Sequence, residues 1–339
     1  MKARLFVLFA GIALFTTSLR AQDKVSCPDG GFTSPGVPNA TKATQDACQK
    51  AIDLFQYTAP QLATSIAGGN ATLGQAGSLG GLGHFSVGLR INAIQGSLPQ
   101  IQNTTLSVQG EQSTRFDTKT QLFPMPTADL AIGIFKGLPL AITNVGGVDL
   151  LVSASYLPEF NNSGVSVKVP NGSLKLGYGA RVGILQESLL VPGVSVSYLR
   201  RDLPTVDMSA SSGNDTLYVN NLSLKTTAWR LVASKGLLLF GLAAGIGQDK
   251  YESSTDIRAH VAARAVPPVP ASNAGPVSLS QNLTRTNVFA DLSMNLLLLK
   301  LTGEIGQVSG GTINTYNTFS GKQAADSRIY GSVGARFGF

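Results

Sequence analysis

Hydrophobic and polar residues alternate along the chain from about residue 82 to its end. In the last stretch, Ile329, Val333 and Phe337 share one face of an extended strand, because side chains of a strand point alternately to its two faces. Arg328 and Arg336 share the opposite face. Such stretches can be delimited at 82–95, 121–136, 146–158, 172–186, 192–203, 221–235, 237–254, 284–296, 298–310 and 326–339. The pattern predicts an all-β protein.

The connections between these stretches alternate in length. Longer connections lie at 96–120, 159–171, 204–220, 255–283 and 311–325, and shorter ones lie at 137–145, 187–191, Gly236 and Leu297. Short periplasmic turns and long extracellular loops are typical of barrels that cross an outer membrane. We therefore predict a transmembrane antiparallel up-and-down β-barrel of about ten strands, within a range of about 8–14, over residues 81–339. A soluble β-sandwich is the main alternative, but its enclosed faces would be apolar.

The parity of each strand assigns most charged side chains to the inside of the barrel. The predicted lumen-lining residues are Arg90, Asp129, Asp149, Lys175, Arg181, Asp291, Lys300, Glu304, Arg328 and Arg336. Inside a barrel such charges pair or contact water, which avoids the cost of placing them in hydrocarbon. The stretch at 221–235 breaks the parity, because Leu222 and Leu224 share one face and Trp229 lies on the other. This break predicts a bulge near 226–230.

The first residues carry the pattern of an export signal. Lys2 and Arg4 precede an apolar run over 5–15, and Leu19 and Ala21 lie at positions −3 and −1 of a plausible cleavage point before Gln22. The run is too short for a spanning helix, which needs about 20 residues. We expect a cleavable signal peptide over 1–21, with a retained anchor as the alternative.

Residues 22–80 differ from the strands that follow. Cys27 and Cys48 are the two cysteines of the chain, and an exported protein passes an oxidising compartment, so we expect a disulfide between them. Helical spacing over 44–57 predicts a short helix that Pro60 ends. The seven glycines of 68–83 predict a flexible entry to the first strand. We expect residues 22–80 to form a periplasmic or lumen-plugging segment.

Composition favours a barrel over a bundle of membrane helices. Only 13% of residues are charged, yet no later stretch offers about 18 uninterrupted apolar residues. A closed barrel is then the remaining way to satisfy the backbone in lipid. Three of the cations behind the net charge of +7 lie in the signal, so the mature chain is not basic enough to indicate a nucleic-acid partner.

The carboxy-terminal strand resembles the sorting signal of bacterial outer-membrane barrels. The residues that carry the resemblance are Tyr330, Val333, Ala335, Phe337 and Phe339. The resemblance implies a location in the outer membrane of a Gram-negative cell. It also implies outer-membrane lipid and the barrel assembly machinery as partners.

The glycine-rich entry after a helical segment is loosely similar to the hatch of the long-chain fatty-acid transporter family, whose barrel has more strands. The similarity implies a narrow channel or a passive transporter of small or hydrophobic solutes. The alternative is a structural or surface-interaction barrel, with a plugged lumen and functional extracellular loops. A filled interior favours this alternative, because only wider barrels reliably leave an aqueous channel.

Catalytic chemistry finds little support in the sequence. The omptins, outer-membrane proteases, resemble this chain in strand count, and Asp256 and His260 lie in its longest predicted loop. A second aspartate pair at a matching spacing is missing, and His84 beside Ser86 is better explained as a polar filler. With only two histidines, a multi-histidine metal site is excluded. We expect no enzyme, no catalytic residue, no metal and no cofactor.

Overall fold

The computed structural model describes residues 27, 38–101, 104–140, 142–162, 165–265 and 268–338. The expected signal peptide at 1–21 and Phe339 of the expected sorting signal lie outside these residues.

In the described part of the chain, ten antiparallel strands form a closed barrel. Each strand pairs with the next one along the chain, and the last strand returns to the first, where Val333 lies opposite Ile91. The strands are β1 (Phe85–Pro99), β2 (Thr118–Phe135), β3 (Gly147–Tyr156), β4 (Leu174–Leu185), β5 (Gly193–Asp202), β6 (Asp215–Leu237), β7 (Phe240–Val261), β8 (Ser272–Leu296), β9 (Leu299–Ser309) and β10 (Arg328–Gly338). The predicted antiparallel up-and-down barrel of about ten strands is confirmed.

The outer face of the barrel is apolar. In β1, the exposed residues Phe85, Leu89 and Ile91 alternate with the buried residues Arg90 and Asn92. The polar side chains therefore point inward, which is the reverse of a soluble sandwich and the arrangement of a barrel surrounded by lipid.

The two ends of the barrel differ in their connections. The short-turn end contains the connections 136–146, 186–192, 238–239 and 297–298. The long-loop end contains 100–117, 157–173, 203–214, 262–271 and 310–327. Three short strands extend the barrel sheet at the long-loop end, namely Phe160–Asn162, Val165–Lys168 and Val206–Ser212. Two separate two-stranded sheets join Arg115–Phe116 to Thr318–Phe319 and Leu138–Leu140 to Thr143–Val145.

The long loop predicted at 255–283 is wrong in extent. β7 continues to Val261 and β8 begins at Ser272, so the hairpin extends beyond the neighbouring strands. Pro276 has no N–H to donate, and a register shift between Ile257 and Ala259 lies opposite it. A bulge accommodates a proline within a sheet, so the strands continue through a segment that resembles a loop in sequence.

The helix α1 (Pro38–Ala67) lies inside the long-loop end of the barrel. The prediction that Pro60 ends this helix is wrong. Pro60 cannot donate to the carbonyl of Gln56, but Gln281 Nε2 of β8 donates to that oxygen at 3.5 Å. The barrel wall thus replaces part of what the proline removes. No helix in the described part of the chain is long and apolar enough to cross a bilayer.

The bulge predicted at 226–230 is also wrong. The register of β6 shifts between Asn220 and Ser223 instead. Leu222 and Leu224 face inward because they pack against α1, whereas Trp229 faces outward. The helix in the lumen therefore explains the mixed parity of this strand.

Candidate functional site

The lumen is crossed by residues 68–83, which we call the plug segment. α1 ends where Gly68 takes a positive φ of 59°, as glycine does after many helices. Gly69 then passes so close to the wall that a Cβ would lie 2.5 Å from Glu304 Oε2 and from the Tyr330 hydroxyl. The segment continues to the short-turn end, where Ser78 Oγ donates to Gln186 Oε1 at 2.6 Å. The segment is thus packed against the wall. The prediction that residues 68–83 form a flexible entry to the first strand is therefore wrong.

Carboxylates of the wall accept the backbone N–H groups of the plug segment. Glu304 accepts from the N–H of Gly69 at 3.2 Å and of Asn70 at 2.6 Å. Asp291 lies across from Glu304 on the neighbouring strand and accepts from the N–H of Gly74 at 2.9 Å. Toward the short-turn end, Asp149 accepts from the N–H of Leu79 at 3.0 Å. These charge-assisted bonds replace the backbone pairing that an irregular buried segment lacks.

Cations of the wall donate to the carbonyls of the same region. Arg201 Nη1 donates to Ala67 O at 2.7 Å, and Arg230 Nη2 donates to Gly68 O at 3.0 Å. Further contacts of this kind are Arg230 Nε to Gly69 O, Arg90 Nη1 to Asn70 O and Lys300 Nζ to Gly74 O. Positive and negative side chains thus hold opposite edges of one peptide backbone.

Buried ion pairs support these contacts. Arg181 Nη2 lies 2.7 Å from Asp149 Oδ2, and Arg230 Nη2 lies 2.5 Å from Asp249 Oδ1. In a third pair, Arg201 Nη2 lies 3.1 Å from Asp129 Oδ1. Removal of one partner of a buried pair costs about 3–5 kcal/mol, because the other charge stays unpaired. The lumen wall is therefore an electrostatic framework built around the plug segment.

The structure places nine of the predicted lumen-lining residues on the inward face. They are the buried or half-buried residues Arg90, Asp129, Asp149, Arg181, Asp291, Lys300, Glu304, Arg328 and Arg336. Lys175 is exposed instead, because β4 begins only one residue earlier at the long-loop end. The guanidinium carbon of Arg328 lies 5.9 Å from the centroid of the Tyr57 ring in α1.

The residues of the expected sorting signal occupy both faces of β10. Val333 and Phe337 are exposed on the outer face, and Ala335 is half-exposed. Tyr330 is buried in the lumen, and its hydroxyl donates to Asn287 Oδ1 at 2.7 Å.

Sequence reasoning missed four important lumen residues: Arg201, Arg230, Asp249 and Arg285. Arg230 was missed because the mixed parity of β6 left the inward face of this strand ambiguous. Asp249 has the inward parity of its strand, so that signal was present in the sequence. Arg285 Nη2 donates to the carbonyls of Ala325 at 3.0 Å and Asp326 at 2.7 Å, contacts that no local pattern reveals.

The disulfide and α1 organise the long-loop end. Cys27 and Cys48 are joined, with Cα atoms 6.0 Å apart. Asp46 accepts from the N–H of Ser107 at 2.7 Å, and Asp53 accepts from the N–H of Asn317 at 2.7 Å. Burial raises the pKa of Asp53 above its ordinary value, although hydrogen bonds from Asn317 act in the opposite direction. α1 thus anchors two of the long loops.

An apolar cavity of about 170 Å³ lies between α1 and the wall at the long-loop end. Its lining is mostly aliphatic and aromatic and includes Leu54, Phe55, Leu62, Leu98, Met208, Leu217, Val219 and Leu222. An apolar cavity of roughly 150 Å³ binds benzene in another protein, so this one has room for a single small apolar molecule. The described residues contain no cluster of three or more His, Cys, Asp or Glu that could hold a metal ion.

Comparison with known proteins gives matches among solved structures alone. No protein-family model and no curated protein match the chain. The solved structures include OmpT of Vibrio cholerae, which is 10% identical with a TM-score of 0.20, over 76% of this chain and 97% of that one. The toluene transporter TodX of Pseudomonas putida is 8% identical with a TM-score of 0.29, over 75% of this chain and 88% of that one. An anion-selective porin of Comamonas acidovorans is 12% identical with a TM-score of 0.17, over 76% of this chain and 98% of that one.

These TM-scores all lie below 0.5, so the barrel assignment rests on the strand pairing of this chain. The prediction that the chain is not an enzyme is corrected at this point. OmpT is among the structures that it matches, at 10% identity and a TM-score of 0.20.

Proposed function

We propose that this protein is a bacterial outer-membrane barrel for the passive passage of small hydrophobic solutes. The observation that carries the proposal is the apolar cavity of about 170 Å³ beneath α1. It lies at the long-loop end, which would face the outside of the cell if the carboxy-terminal strand is inserted as in other outer-membrane barrels. The match to a toluene transporter agrees with a small apolar solute but adds no independent argument.

The plug segment argues against a permanently open aqueous pore. Its backbone is bonded to Glu304, Asp291, Asp149 and several cations of the wall. An apolar solute would first occupy the cavity, and its further passage would require movement of the plug segment. Outer-membrane lipid and the barrel assembly machinery are the partners that such a protein would have.

The second candidate is a structural or surface-interaction barrel with a plugged lumen. The contacts of α1 with the long loops favour it, because Asp46 and Asp53 hold Ser107 and Asn317 in fixed positions. Loops held in this way would present a defined surface at the long-loop end.

Binding of hexafluorobenzene to the refolded protein, followed by fluorine NMR, separates the two candidates. We expect a saturable bound signal that Ala210→Leu reduces, because Ala210 lines the cavity and a larger side chain would fill it. Ala290→Leu on the outer face is the matched control and should leave the signal unchanged.

Conductance of the same protein in planar bilayers completes the test. We expect no stable ion conductance, since the plug segment fills the lumen. Stable openings of the intact protein would contradict the apolar route and indicate an aqueous channel. Silence together with no saturable binding would favour the structural alternative.

A further inference from the structure

The short-turn end exposes an unusual number of leucine side chains at its tips. We call the leucine rim the set of Leu189, Leu190, Leu238, Leu239, Leu297 and Leu298. Leu238 is 98% exposed and Leu297 is 103% exposed, so neither side chain packs against the rest of the barrel. Exposed apolar side chains grouped at one end of a barrel indicate a surface that contacts another apolar phase.

The backbone makes leucine a costly choice at two of these tips. Leu238 and Leu297 adopt positive φ values of 53° and 56°. Tight hairpin turns with positive φ favour Gly, Asn or Asp, which adopt this conformation more easily and suit water. The turns therefore carry leucine against both local preferences, which indicates that an apolar surface is needed there.

The height of the outer apolar face points to the environment of the rim. In β6 the last exposed aromatic residue is Trp229, and the strand ends eight residues later at Leu237. At about 3.3 Å per residue and a tilt of about 40°, this stretch measures about 20 Å. The apolar band of an outer-membrane barrel is about 25 Å tall, so the strand falls short of the band unless the turn is included.

Charged residues mark the opposite boundary of the band. Lys250 and Glu252 form an exposed ion pair on the outer face of β7. Lys250 lies opposite Thr227, two residues from Trp229 toward the long-loop end. On β6 and β7 the apolar face ends there, so on these strands the remaining height lies at the leucine rim.

The charged side chains near the leucine rim either form hydrogen bonds within the protein or are long enough to reach the lipid headgroups. Lys235 Nζ donates to the carbonyls of Ser188 at 2.6 Å and Leu189 at 2.8 Å. Glu187 accepts from Ser234 Oγ at 3.1 Å and from the N–H of Gly236. The exposed side chain of Lys136 lies at the same end and is long enough to extend toward lipid phosphates.

We propose that the leucine rim is immersed in the lipid leaflet at the short-turn end. Acyl chains then contact the turns directly, and the barrel ends within the membrane instead of projecting into water. The inference rests on the membrane location in the proposed function but not on the solute.

Quenching of tryptophan fluorescence by brominated phospholipids in liposomes tests this placement. Trp229 is the single tryptophan of the chain, so Trp229→Phe gives a silent background. In that background we would introduce Leu238→Trp, Leu297→Trp and, as the control, Tyr218→Trp. Tyr218 is an exposed aromatic residue of β6 beyond the charged boundary, at the long-loop end.

We expect brominated acyl chains to quench Leu238→Trp and Leu297→Trp at least as strongly as they quench Trp229 of the unmodified protein. Dissolved iodide should quench Tyr218→Trp and leave both rim variants nearly unaffected. Heat-dependent gel migration identifies variants that have folded, and the two rim positions serve as independent tests.

Strong quenching of both rim variants by iodide, with none by brominated lipid, would overturn the immersion. In that case quenching of Trp229 by lipid would still support the membrane location. If brominated lipid quenched neither Trp229 nor the rim variants, the membrane location itself would fail, and the inference with it.

Discussion

Glu304 is the side chain that holds the plug segment most directly. It accepts two backbone N–H groups of the segment, from Gly69 and Asn70, and it also accepts from Ser332 Oγ at 2.8 Å. Hydrogen bonds to a charged group contribute about 1.5–3 kcal/mol each. One substitution at this position therefore weakens the attachment of the plug segment to β9.

We expect Glu304→Ala to expose the plug segment without opening the barrel. In a protein carrying Ala76→Cys, a buried position of the segment, maleimide labelling should become about tenfold faster or more. The native cysteines are joined to each other and do not react. Gln307→Ala, on the outer face of the same strand, should leave the labelling rate unchanged, and equal rates in both variants would contradict the role of Glu304.

The inward position of most lumen charges was predictable from parity, because a strand has only two faces. What each charge binds was not predictable. Asp291 and Glu304 are cross-strand partners on β8 and β9. Only the structure shows that Glu304 accepts the N–H of Gly69 and that Asp291 accepts the N–H of Gly74. A pattern with period two carries no information about a segment that enters from elsewhere in the chain.

At the scale of elements, α1 is the part that local sequence describes least well. A helix of 30 residues with Pro60 in its interior contradicts the usual effect of proline. Its stability comes from burial, since Ala47, Ile52 and Ile66 are inaccessible to solvent. The length of α1 is thus set by the surrounding barrel, in which the contacting strands β6, β7 and β8 lie more than a hundred residues away in sequence.

The disulfide restrains the amino-terminal side of α1. Closing a loop with a sequence separation of 21 contributes about 3 kcal/mol by chain entropy. We expect Cys27→Ser with Cys48→Ser to leave the barrel folded and to accelerate tryptic cleavage after the exposed Lys42 by about tenfold or more. Cleavage after the exposed Arg258 of β7 is the internal control, and parallel acceleration at both sites would mean that the whole long-loop end had loosened.

At the scale of the whole molecule, the two faces of the barrel should respond oppositely to charge. Leu301 of β9 lies on the outer face, four residues from the turn at Leu297. Arg336 is next to Ala335, the cross-strand partner of Leu301, but points inward opposite Lys300. These neighbours make a matched pair for testing the orientation of the barrel wall.

We expect Leu301→Arg to lower the free energy of unfolding by about 2–4 kcal/mol, because it places a charge near the middle of the apolar band. Arg336→Leu should change it much less, since it removes one of two neighbouring positive charges. Urea titration of folding into liposomes measures both, and equal tolerance would contradict the division into lipid and lumen faces.

The path of the amino-terminal segment constrains how the molecule can be assembled. α1 and the plug segment run through the lumen and continue directly into β1, which pairs with β10. A helix with its side chains is about 10–12 Å wide, so it could not be drawn through a finished ring whose interior is already filled. We therefore expect the strands to fold around this segment, which is synthesised before them, and the joint between β1 and β10 to close last.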